Sequence, residues 1–538
     1  MAAIANSRPS PISEKAVRLL TVALVAVAAA VLSACAVWLS FSHGWTLYYG
    51  DAESHLNIAR RIIDSRTPGY GQIGTAWLPL PHLLLLPFVA RDDLWRSGLA
   101  GAIPSAACFV LAVTFVFAAA RRVFKSSAAA ATGTALFALN PNVLYLQSTP
   151  MNEPIFFAAF AALLYFTVRF RGTQSLWSVA GAGVAAIAGS LTRYEGWFVI
   201  PFTAIYFLVA ARRKRILAAL VFGVIASLGP LAWLTYNWWL FRDPLEFYWG
   251  PYSAKAIQGS APYPGNGDWK TALIYFGWAA RACAGAPLFF AGALGVLAAF
   301  WKRAFWPVSL LLLPAVFYIW SIHSSGNPIF LPNLEPHSYY NSRYGLALLP
   351  LLAFCAASIA AVPVKPVLRI AVSFILIAIA SAPWLMDRRP EAWITWKESD
   401  TNSSARRHWT AEAAEFFERW WRPGAGVFTS FGDYTGVYRK AGIPLRATLT
   451  GDNGLPWTAA TLRPDLFLWE QWAMVMGGDP VQTAINRSRR RGPNYDLMRR
   501  IITKGAPVIE IYERRTAPAT LPPIVDENSL PQSARREE

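Results

Sequence analysis

Long apolar runs alternate with short polar segments through the first 386 residues of the chain. A run of about 20 mostly apolar residues is long enough to cross the hydrocarbon core of a bilayer as a helix. Eleven runs approach or exceed this length, and we predict a transmembrane helix for each of them. They lie at about 16–41, 96–120, 127–146, 154–169, 176–191, 195–211, 216–240, 274–300, 305–322, 343–362 and 366–386.

A further apolar run, at 77–90, is shorter and is interrupted by Pro79 and Pro81. We predict that it is an interfacial or re-entrant segment, because it is too short to span and proline breaks a regular helix. The first run follows a basic segment, as a signal peptide would, but its length favours a retained transmembrane helix. Residues 1–386 are therefore predicted to form a polytopic α-helical membrane domain.

The pattern changes after residue 386, where charged and polar residues become frequent. Apolar alternation and short apolar runs predict a small soluble α/β domain over 387–515. The predicted elements are helices at 410–421 and 495–504 and strands at 426–430, 465–469 and 508–512. The tail 516–538 combines proline with mixed charges, and we predict that it is disordered.

Charge gives this pattern an orientation. Only 15% of residues are charged, against about 25% in soluble domains, and the formal net charge is +18. The basic residues cluster in five short connections that lack Asp and Glu, which is the positive-inside pattern rather than a nucleic-acid-binding stripe. These residues are Arg121, Arg122, Lys125, Arg169, Arg171, Arg212, Arg213, Lys214, Arg215, Lys302, Arg303, Lys365 and Arg369. The N-terminus is therefore predicted to be cytoplasmic and the C-terminal domain extracytoplasmic.

With this orientation, the polar segments other than the basic connections fall on the outer face. These segments are the loops at 42–95, 140–153, 192–197, 241–273 and 323–342. A transporter would also carry polar residues in the middle of its helices, near the bilayer midplane, whereas these spans are almost free of charge. The chain also lacks nucleotide-binding glycine motifs and zinc-type Cys/His spacing.

The first outer loop opens with two carboxylates and an imidazole, Asp51, Glu53 and His55. Ionisable residues at a membrane border are costly to bury and indicate a function. Asp51 is either a catalytic base or the N-cap of the amphipathic helix that follows it, and the residues alone leave both interpretations open.

Four motifs follow one another in a characteristic order. They are Gly50-Asp51-Ala52-Glu53, Thr149-Pro150-Met151-Asn152-Glu153-Pro154, Leu191-Thr192-Arg193-Tyr194-Glu195-Gly196 and Ser342-Arg343-Tyr344. In order and sidedness they resemble the GT-C superfamily of integral membrane glycosyltransferases. Within it, they resemble the polyprenyl-phosphate-sugar-dependent group of protein O-mannosyltransferases and the lipid A aminoarabinose transferase. The Trp-Trp-Asp-Tyr-Gly signature of oligosaccharyltransferases is absent, which argues against that branch.

The resemblance implies transfer of a sugar from a polyprenyl-phosphate donor to a glycan, lipid or protein acceptor, most simply with inversion. It implies a multi-pass protein of a bacterial plasma membrane. Asp51 would be the general base. Relatives with an acidic pair have Glu directly after the Asp, but this chain has Ala52, so the second carboxylate would be Glu53 or Glu153. No metal is assigned, and a divalent ion stays open.

The remaining candidates concern substrate binding. Arg193 and Arg343 would hold the donor phosphate, because a guanidinium group matches phosphate oxygens and stays charged. Alternatively, Arg193 forms a salt bridge with Glu195 and Arg343 anchors a helix end at the interface. The further candidate substrate-binding residues are His55, Glu195, His337 and Tyr340.

Two other classes of protein remain as alternatives. The first is a multi-pass transporter or flippase of lipid or glycan. The second is a non-catalytic membrane assembly protein whose outer domain binds a partner.

Overall fold

The computed structural model describes residues 11–430 and 435–515, and helices predominate. The predicted disorder of 516–538 lies outside these residues. The α-helices are α1 (Pro11–Ser42), α2 (Gly50–Arg61), α3 (Leu80–Val89), α4 (Asp92–Ser97), α5 (Leu99–Phe124), α6 (Ser127–Ala138), α7 (Pro141–Leu146), α8 (Glu153–Thr173), α9 (Leu176–Ser190), α10 (Glu195–Ala210), α11 (Arg215–Phe241), α12 (Glu246–Trp249), α13 (Ala254–Gln258), α14 (Trp269–Ala284), α15 (Ala286–Trp301), α16 (Phe305–Ser324), α17 (Leu349–Ala360), α18 (Pro366–Met386), α19 (Ile394–Trp420), α20 (Val437–Ala441), α21 (Leu455–Leu462), α22 (Pro464–Phe467) and α23 (Pro480–Arg491). A 3-10 segment, Ser342–Leu348, precedes α17.

The helices agree with the prediction of a polytopic membrane protein, whereas the count of eleven spans is not confirmed. Among the described residues, seven helices are long and apolar enough to cross a membrane, or eight if one bent pair is a single span. Three predicted spans correspond to shorter helices, α6, α9 and α10, of 12, 15 and 16 residues. At 1.5 Å per residue these helices are shorter than the ~30 Å hydrocarbon core. The segment predicted at 77–90 is the ten-residue helix α3.

The run predicted as one span at 274–300 is broken in the middle. Helices α14 and α15 meet at an angle of 111°. Gly285 between them has a φ of 78°, a conformation that favours glycine, and Pro287 lies in the first turn of α15. The sequence pattern is apolar on both sides of this break, so hydrophobicity alone did not reveal it.

Helices α15 and α17 approach closely through small residues. A Cβ atom at Gly295 would lie 2.1 Å from the carbonyl oxygen of Cys355, so only glycine fits there. The hydroxyl of Ser358 donates a 2.7 Å hydrogen bond to the carbonyl oxygen of Gly295 across the same contact. Small residues and interhelical hydrogen bonds are typical of helix packing inside membranes, where apolar burial contributes little.

The chain divides into two compact units. The first contains the described residues up to Thr46, then Thr75–Pro81 and Ala102–Glu398, and it holds most of the apolar helices. The second contains Leu47–Gly74, His82–Gly101 and the residues from Ser399 onward. Most of the segment 47–101 therefore packs with C-terminal residues. The predicted boundary at residue 386, as a limit between independent domains, stays a prediction.

The second unit is built on a five-stranded mixed sheet. Its strands are β1 (Val427–Thr429), β2 (Thr448–Leu449), β3 (Trp472–Met476), β4 (Tyr495–Ile501) and β5 (Ile509–Arg514), in the order β2-β1-β3-β5-β4. Strands β2, β1 and β3 are parallel, and β5 is antiparallel to both β3 and β4.

Both faces of this sheet are covered, because alternate residues of each strand point to opposite faces. Val427, Trp472 and Met474 pack on one face with apolar residues of α2, α3 and α19. Phe428, Ala473 and Val475 pack on the other face with residues of α21 and α23. Helices α2 and α3 thus supply part of the core of this unit.

Two of the five elements predicted for the C-terminal region are wrong. Residues 495–504, predicted as a helix, form strand β4, because pairing with β5 in a hairpin overrides local preference. Residues 465–469, predicted as a strand, begin with the short helix α22, which Pro464 starts, and the strand lies later, at β3. The strands predicted at 426–430 and 508–512 are present as β1 and β5, and the helix at 410–421 is the end of α19.

Candidate active site

A buried cluster of charged side chains lies in the first unit where several helices begin. Glu153 is the first residue of α8, Arg193 lies in the link before α10, and Arg343 lies in the 3-10 segment before α17. Glu153 Oε1 accepts from Nη1 of Arg193 at 3.0 Å and from Nε of Arg343 at 3.2 Å. The structure therefore brings together three residues that the sequence separates by as many as 190 positions.

Arg193 is fully engaged within this cluster. Its Nε lies 2.5 Å from Glu195 Oε1, its Nη1 contacts Glu153, and its Nη2 donates to the hydroxyl of Tyr318. Tyr318 in turn donates to Glu195 Oε1 at 2.8 Å. Burial disfavours the guanidinium charge, but the carboxylates of Glu195 and Glu153 outweigh it and raise the pKa of Arg193 well above its usual value. Arg193 thus forms the salt bridge with Glu195 that was the alternative interpretation of this residue.

Arg343 has a second carboxylate partner, Glu398, which the sequence analysis did not single out. Nη1 of Arg343 lies 3.0 Å from Glu398 Oε1, and Glu398 Oε2 accepts from the backbone N–H of Ser342 at 2.7 Å. Glu398 belongs to α19, beyond the predicted end of the membrane domain. In the sequence, Glu398 is distinguished only as an acidic residue that follows the last apolar run.

The cluster is nearly closed to solvent. The side chains of Glu153, Glu195, Arg343 and Glu398 are at most 9% exposed, and that of Arg193 is 14% exposed. Removing one partner of a buried ion pair typically costs about 3–5 kcal/mol, so these contacts are coupled to the stability of the unit.

One oxygen of the cluster lacks a partner. Glu153 Oε2 is buried and accepts no hydrogen bond among the described residues. It borders a cavity of about 20 Å³, which Tyr318, Tyr344 and Pro350 also line. That volume suits about one water molecule, so a larger ligand requires side chains of the cluster to move. A buried carboxylate oxygen without a partner is ready to accept a proton or a hydrogen bond from a ligand.

Asp51, in the second unit, does not occupy the N-cap position. Helix α2 begins at Gly50, its N-cap residue is Tyr49, and Asp51 lies inside the first turn. Asp51 is therefore not the N-cap residue of α2, although a carboxylate in a first turn still complements the helix dipole. Burial lowers the pKa of Arg406, and the nearby carboxylates of Glu53 and Asp51 oppose this shift only in part.

Glu53 is held by a guanidinium group. Nε and Nη2 of Arg439 lie 2.8 and 3.0 Å from its two carboxylate oxygens, and both side chains are less than 8% exposed. Such a bidentate pair stabilises the ionised carboxylate and occupies both oxygens. Glu53 is therefore placed as a structural partner of the C-terminal residues of its unit.

His55 is also buried in the second unit, where its Nδ1 lies 2.9 Å from Nε2 of His82. Burial, together with the nearby charges of His55 and Arg61, lowers the pKa of His82 well below its usual value. His82 is therefore neutral near pH 7, which allows one imidazole of the pair to donate to the other.

The last two predicted site residues lie in the segment before Arg343, in the first unit. His337 is exposed, its Nδ1 lies 3.0 Å from the carbonyl oxygen of Pro332, and its Nε2 lies 3.5 Å from Glu335. Tyr340 is 43% exposed, and its backbone pairs with that of Phe330.

Within residues 11–430 and 435–515, no group of three or more His, Cys, Asp and Glu side chains is arranged to hold a metal ion.

Comparisons with known proteins agree with this architecture. Residues 95–239 match the sequence model of the dolichyl-phosphate-mannose-protein mannosyltransferase family, and this stretch contains Glu153, Arg193 and Glu195. A comparison with curated proteins gives no match.

Among solved structures, ArnT from Cupriavidus metallidurans bound to undecaprenyl phosphate is similar at 14% identity and a TM-score of 0.54. The alignment covers 91% of this chain and 99% of ArnT. ArnT in the apo state aligns at 15% identity and a TM-score of 0.50, over 86% of this chain and 93% of ArnT. An oligosaccharyltransferase from Archaeoglobus fulgidus aligns at 16% identity and a TM-score of 0.49, over 85% of this chain and 69% of that protein.

At these identities, the ArnT comparisons establish a shared fold. The family match adds a stretch of sequence that spans α5 to α11. The family match and the shared fold together place the chain in the GT-C superfamily of membrane glycosyltransferases.

Proposed function

We propose that the protein transfers a sugar from a polyprenyl-phosphate donor to an acceptor on the extracytoplasmic face of the membrane. The observation that carries the proposal is the buried cluster of Glu153, Arg193 and Arg343, in a fold shared with a protein bound to undecaprenyl phosphate. Buried charges at the ends of apolar helices are costly, and such residues usually serve binding or catalysis.

Arg343 is the proposed ligand of the donor phosphate. Arg193 uses all three nitrogens on partners inside the cluster, so it is better suited to position Glu153 and Glu195 than to bind phosphate itself. A phosphate that reaches Arg343 would compete with Glu153 and Glu398 for the same guanidinium group. Because the adjoining cavity is small, donor binding would open this part of the cluster.

Asp51 is the proposed general base. In the reaction, the acceptor oxygen attacks the anomeric carbon, the bond from that carbon to the phosphate oxygen breaks, and the acceptor proton passes to Asp51. Polyprenyl phosphate leaves, and a single displacement inverts the anomeric configuration. Glu53 is not proposed for this role, because both of its carboxylate oxygens pair with Arg439. Glu153, with one unpaired oxygen, is the remaining second carboxylate.

Purified protein and a synthetic short-chain polyprenyl-phosphate sugar test the proposal directly. We expect donor-dependent transfer to an acceptor from a panel of lipid, glycan and peptide acceptors. Donor carrying different sugars would identify the sugar. Movement of the donor across a vesicle membrane without any transfer would contradict the proposal and support a transporter.

Arg343→Ala is expected to lower kcat/KM for the donor by roughly 10- to 150-fold. This range corresponds to the ~1.5–3 kcal/mol of one lost charged hydrogen-bonding partner. Glu398→Gln is the matched control, because it breaks the same ion pair and retains the guanidinium group. Lys365→Ala, at an exposed basic residue, should leave donor use unchanged. An equal loss in Arg343→Ala and Glu398→Gln would show that the cluster acts only through structure.

The proposed site requires the second unit to face the extracytoplasmic side. In a variant whose four cysteines are replaced by alanine, a cysteine at the exposed Lys504 should react with an impermeant maleimide in intact cells. A cysteine at the exposed Arg213, in a basic connection, should react only after the cells are permeabilised. The reverse labelling pattern would show that the topology is inverted and that the donor does not reach the proposed site.

A further inference from the structure

A large cavity lies in the first unit at the end of the helices opposite to Glu153. Its volume is about 840 Å³, within the range of ligand-binding pockets. It is framed by the last turns of α5 and α8, by the link before α11 and by the link between α15 and α16. These are the basic connections that the sequence predicts to be cytoplasmic.

The charge of this cavity has one sign. Seven cationic residues line it, and no aspartate or glutamate is among the described residues of its lining. The seven are Arg121, Arg122, Lys125, Arg171, Arg212, Lys302 and Arg303. Arg121 donates to the hydroxyl of Ser127 at 2.6 Å, and Arg122 lies over the ring of Tyr165 at 5.3 Å. Like charges gathered around one concave space produce a strong positive potential that attracts an anion.

Apolar residues of membrane-spanning helices form the rest of the wall. Leu19 and Val22 come from α1, Val168 from α8 and Pro307 from α16. The cavity therefore joins a cationic rim to surfaces that suit hydrocarbon. A soluble anion would use only the rim, whereas a lipid with a charged headgroup would use both.

We propose that this cavity binds the phosphate headgroup of an anionic membrane lipid from the leaflet opposite to the proposed donor site. The cations would contact the phosphate, and the start of an acyl chain would lie against Leu19 and Val22. The simpler explanation is that these residues only set membrane topology and complement the carboxyl ends of helices. That explanation requires basic residues on this face, but it does not require them to surround one cavity.

A matched pair of triple variants separates the two explanations. Arg171→Gln, Lys302→Gln and Arg303→Gln together remove three charges that line the cavity. Arg213→Gln, Lys214→Gln and Lys365→Gln remove three charges from basic connections without touching the lining. The change in net charge is the same, so a nonspecific effect of charge would be equal in both.

The measurement is the binding of radiolabelled dioctanoyl phosphatidylglycerol to the purified full-length protein in a non-ionic detergent. We expect saturable binding that the cavity variant weakens at least about tenfold and the control variant about twofold or less, because each phosphate contact of Lys or Arg contributes several-fold. Dioctanoyl phosphatidylcholine should compete poorly. Equal affinities of the two triple variants would overturn the proposal.

Two further measurements identify the source of the anion and keep the test valid if the triple variant fails to fold. Glycerol 1-phosphate should not displace the lipid, and displacement at similar concentration would overturn the assignment to a lipid. Gly172 lines the cavity and has open space around the position of a Cβ atom, so Gly172→Phe should obstruct binding. Gly223→Phe is its control, since Gly223 also has open space but lies outside the lining. Unchanged binding in Gly172→Phe would likewise count against the cavity.

Discussion

Asp51→Asn is expected to lower the rate of sugar transfer by about 10²- to 10⁴-fold, the usual contribution of a general base. Asparagine keeps the size of the side chain and its place in the first turn of α2, but it does not accept a proton at neutral pH. Because Tyr49, not Asp51, occupies the N-cap position, the substitution removes no N-cap and loses at most the ~0.3–1 kcal/mol of a carboxylate near a helix N-terminus. We therefore expect a normal melting temperature together with nearly abolished transfer, measured with the synthetic donor.

Two matched variants make this result specific. Asp93→Asn changes the same residue type in the first turn of α4, in the same unit, where Asp93 is 62% exposed and pairs with Arg91. It should transfer sugar at the normal rate. Glu153→Gln belongs in the same assay as the second carboxylate. An active Asp51→Asn alongside an inactive Glu53→Gln would move the base to Glu53, and full activity in all three acidic variants would remove the glycosyltransferase mechanism proposed here.

Arg439→Ala is expected to destabilise the second unit by about 3–5 kcal/mol, because it leaves the carboxylate of Glu53 buried without its bidentate partner. Chemical denaturation of the purified protein in detergent measures this loss. Glu53→Leu combined with Arg439→Ala should recover part of it, since the buried carboxylate that lost its partner is then removed as well. The coupling between the two substitutions, taken from the double-mutant cycle, should be clearly different from zero.

The control for this prediction is a surface ion pair in the same unit. Arg499 lies 2.5 Å from Glu412, with side chains 51% and 30% exposed. Arg499→Ala should cost no more than about 1 kcal/mol, because solvent screens an exposed pair. If Arg439→Ala costs as little, Glu53 is not held by this pair in solution, and Glu53 would return as a candidate for the base.

The sequence was most informative where structure depends on local hydrophobicity. Every predicted span lies largely in helical structure, and the basic connections mark one end of those helices, because both properties are carried by neighbouring residues. It was less informative about length and continuity. The bend at Gly285 and the short helices α6, α9 and α10 lie in runs that are as apolar as the seven longer helices.

The candidate site was predicted only as separate motifs. The sequence indicated Glu153, Arg193, Glu195 and Arg343 individually, and the fold brings these four together. It did not indicate Glu398 or Tyr318, because each acts through a partner that is more than 50 residues away. The partner of Glu53 was equally hidden, since Arg439 lies 386 positions later in the chain.

The sequence by itself determined that the chain is a polytopic helical membrane protein, and it predicted polar loops on one side of the membrane and basic connections on the other. The reason is that hydrophobic length and charge bias act locally. Only the tertiary structure decided which charges are paired. It showed that Glu153 contacts both Arg193 and Arg343, that Glu53 pairs with Arg439, and that helices α2 and α3 share a core with the C-terminal sheet. These outcomes depend on contacts between distant residues, and no local pattern encodes them.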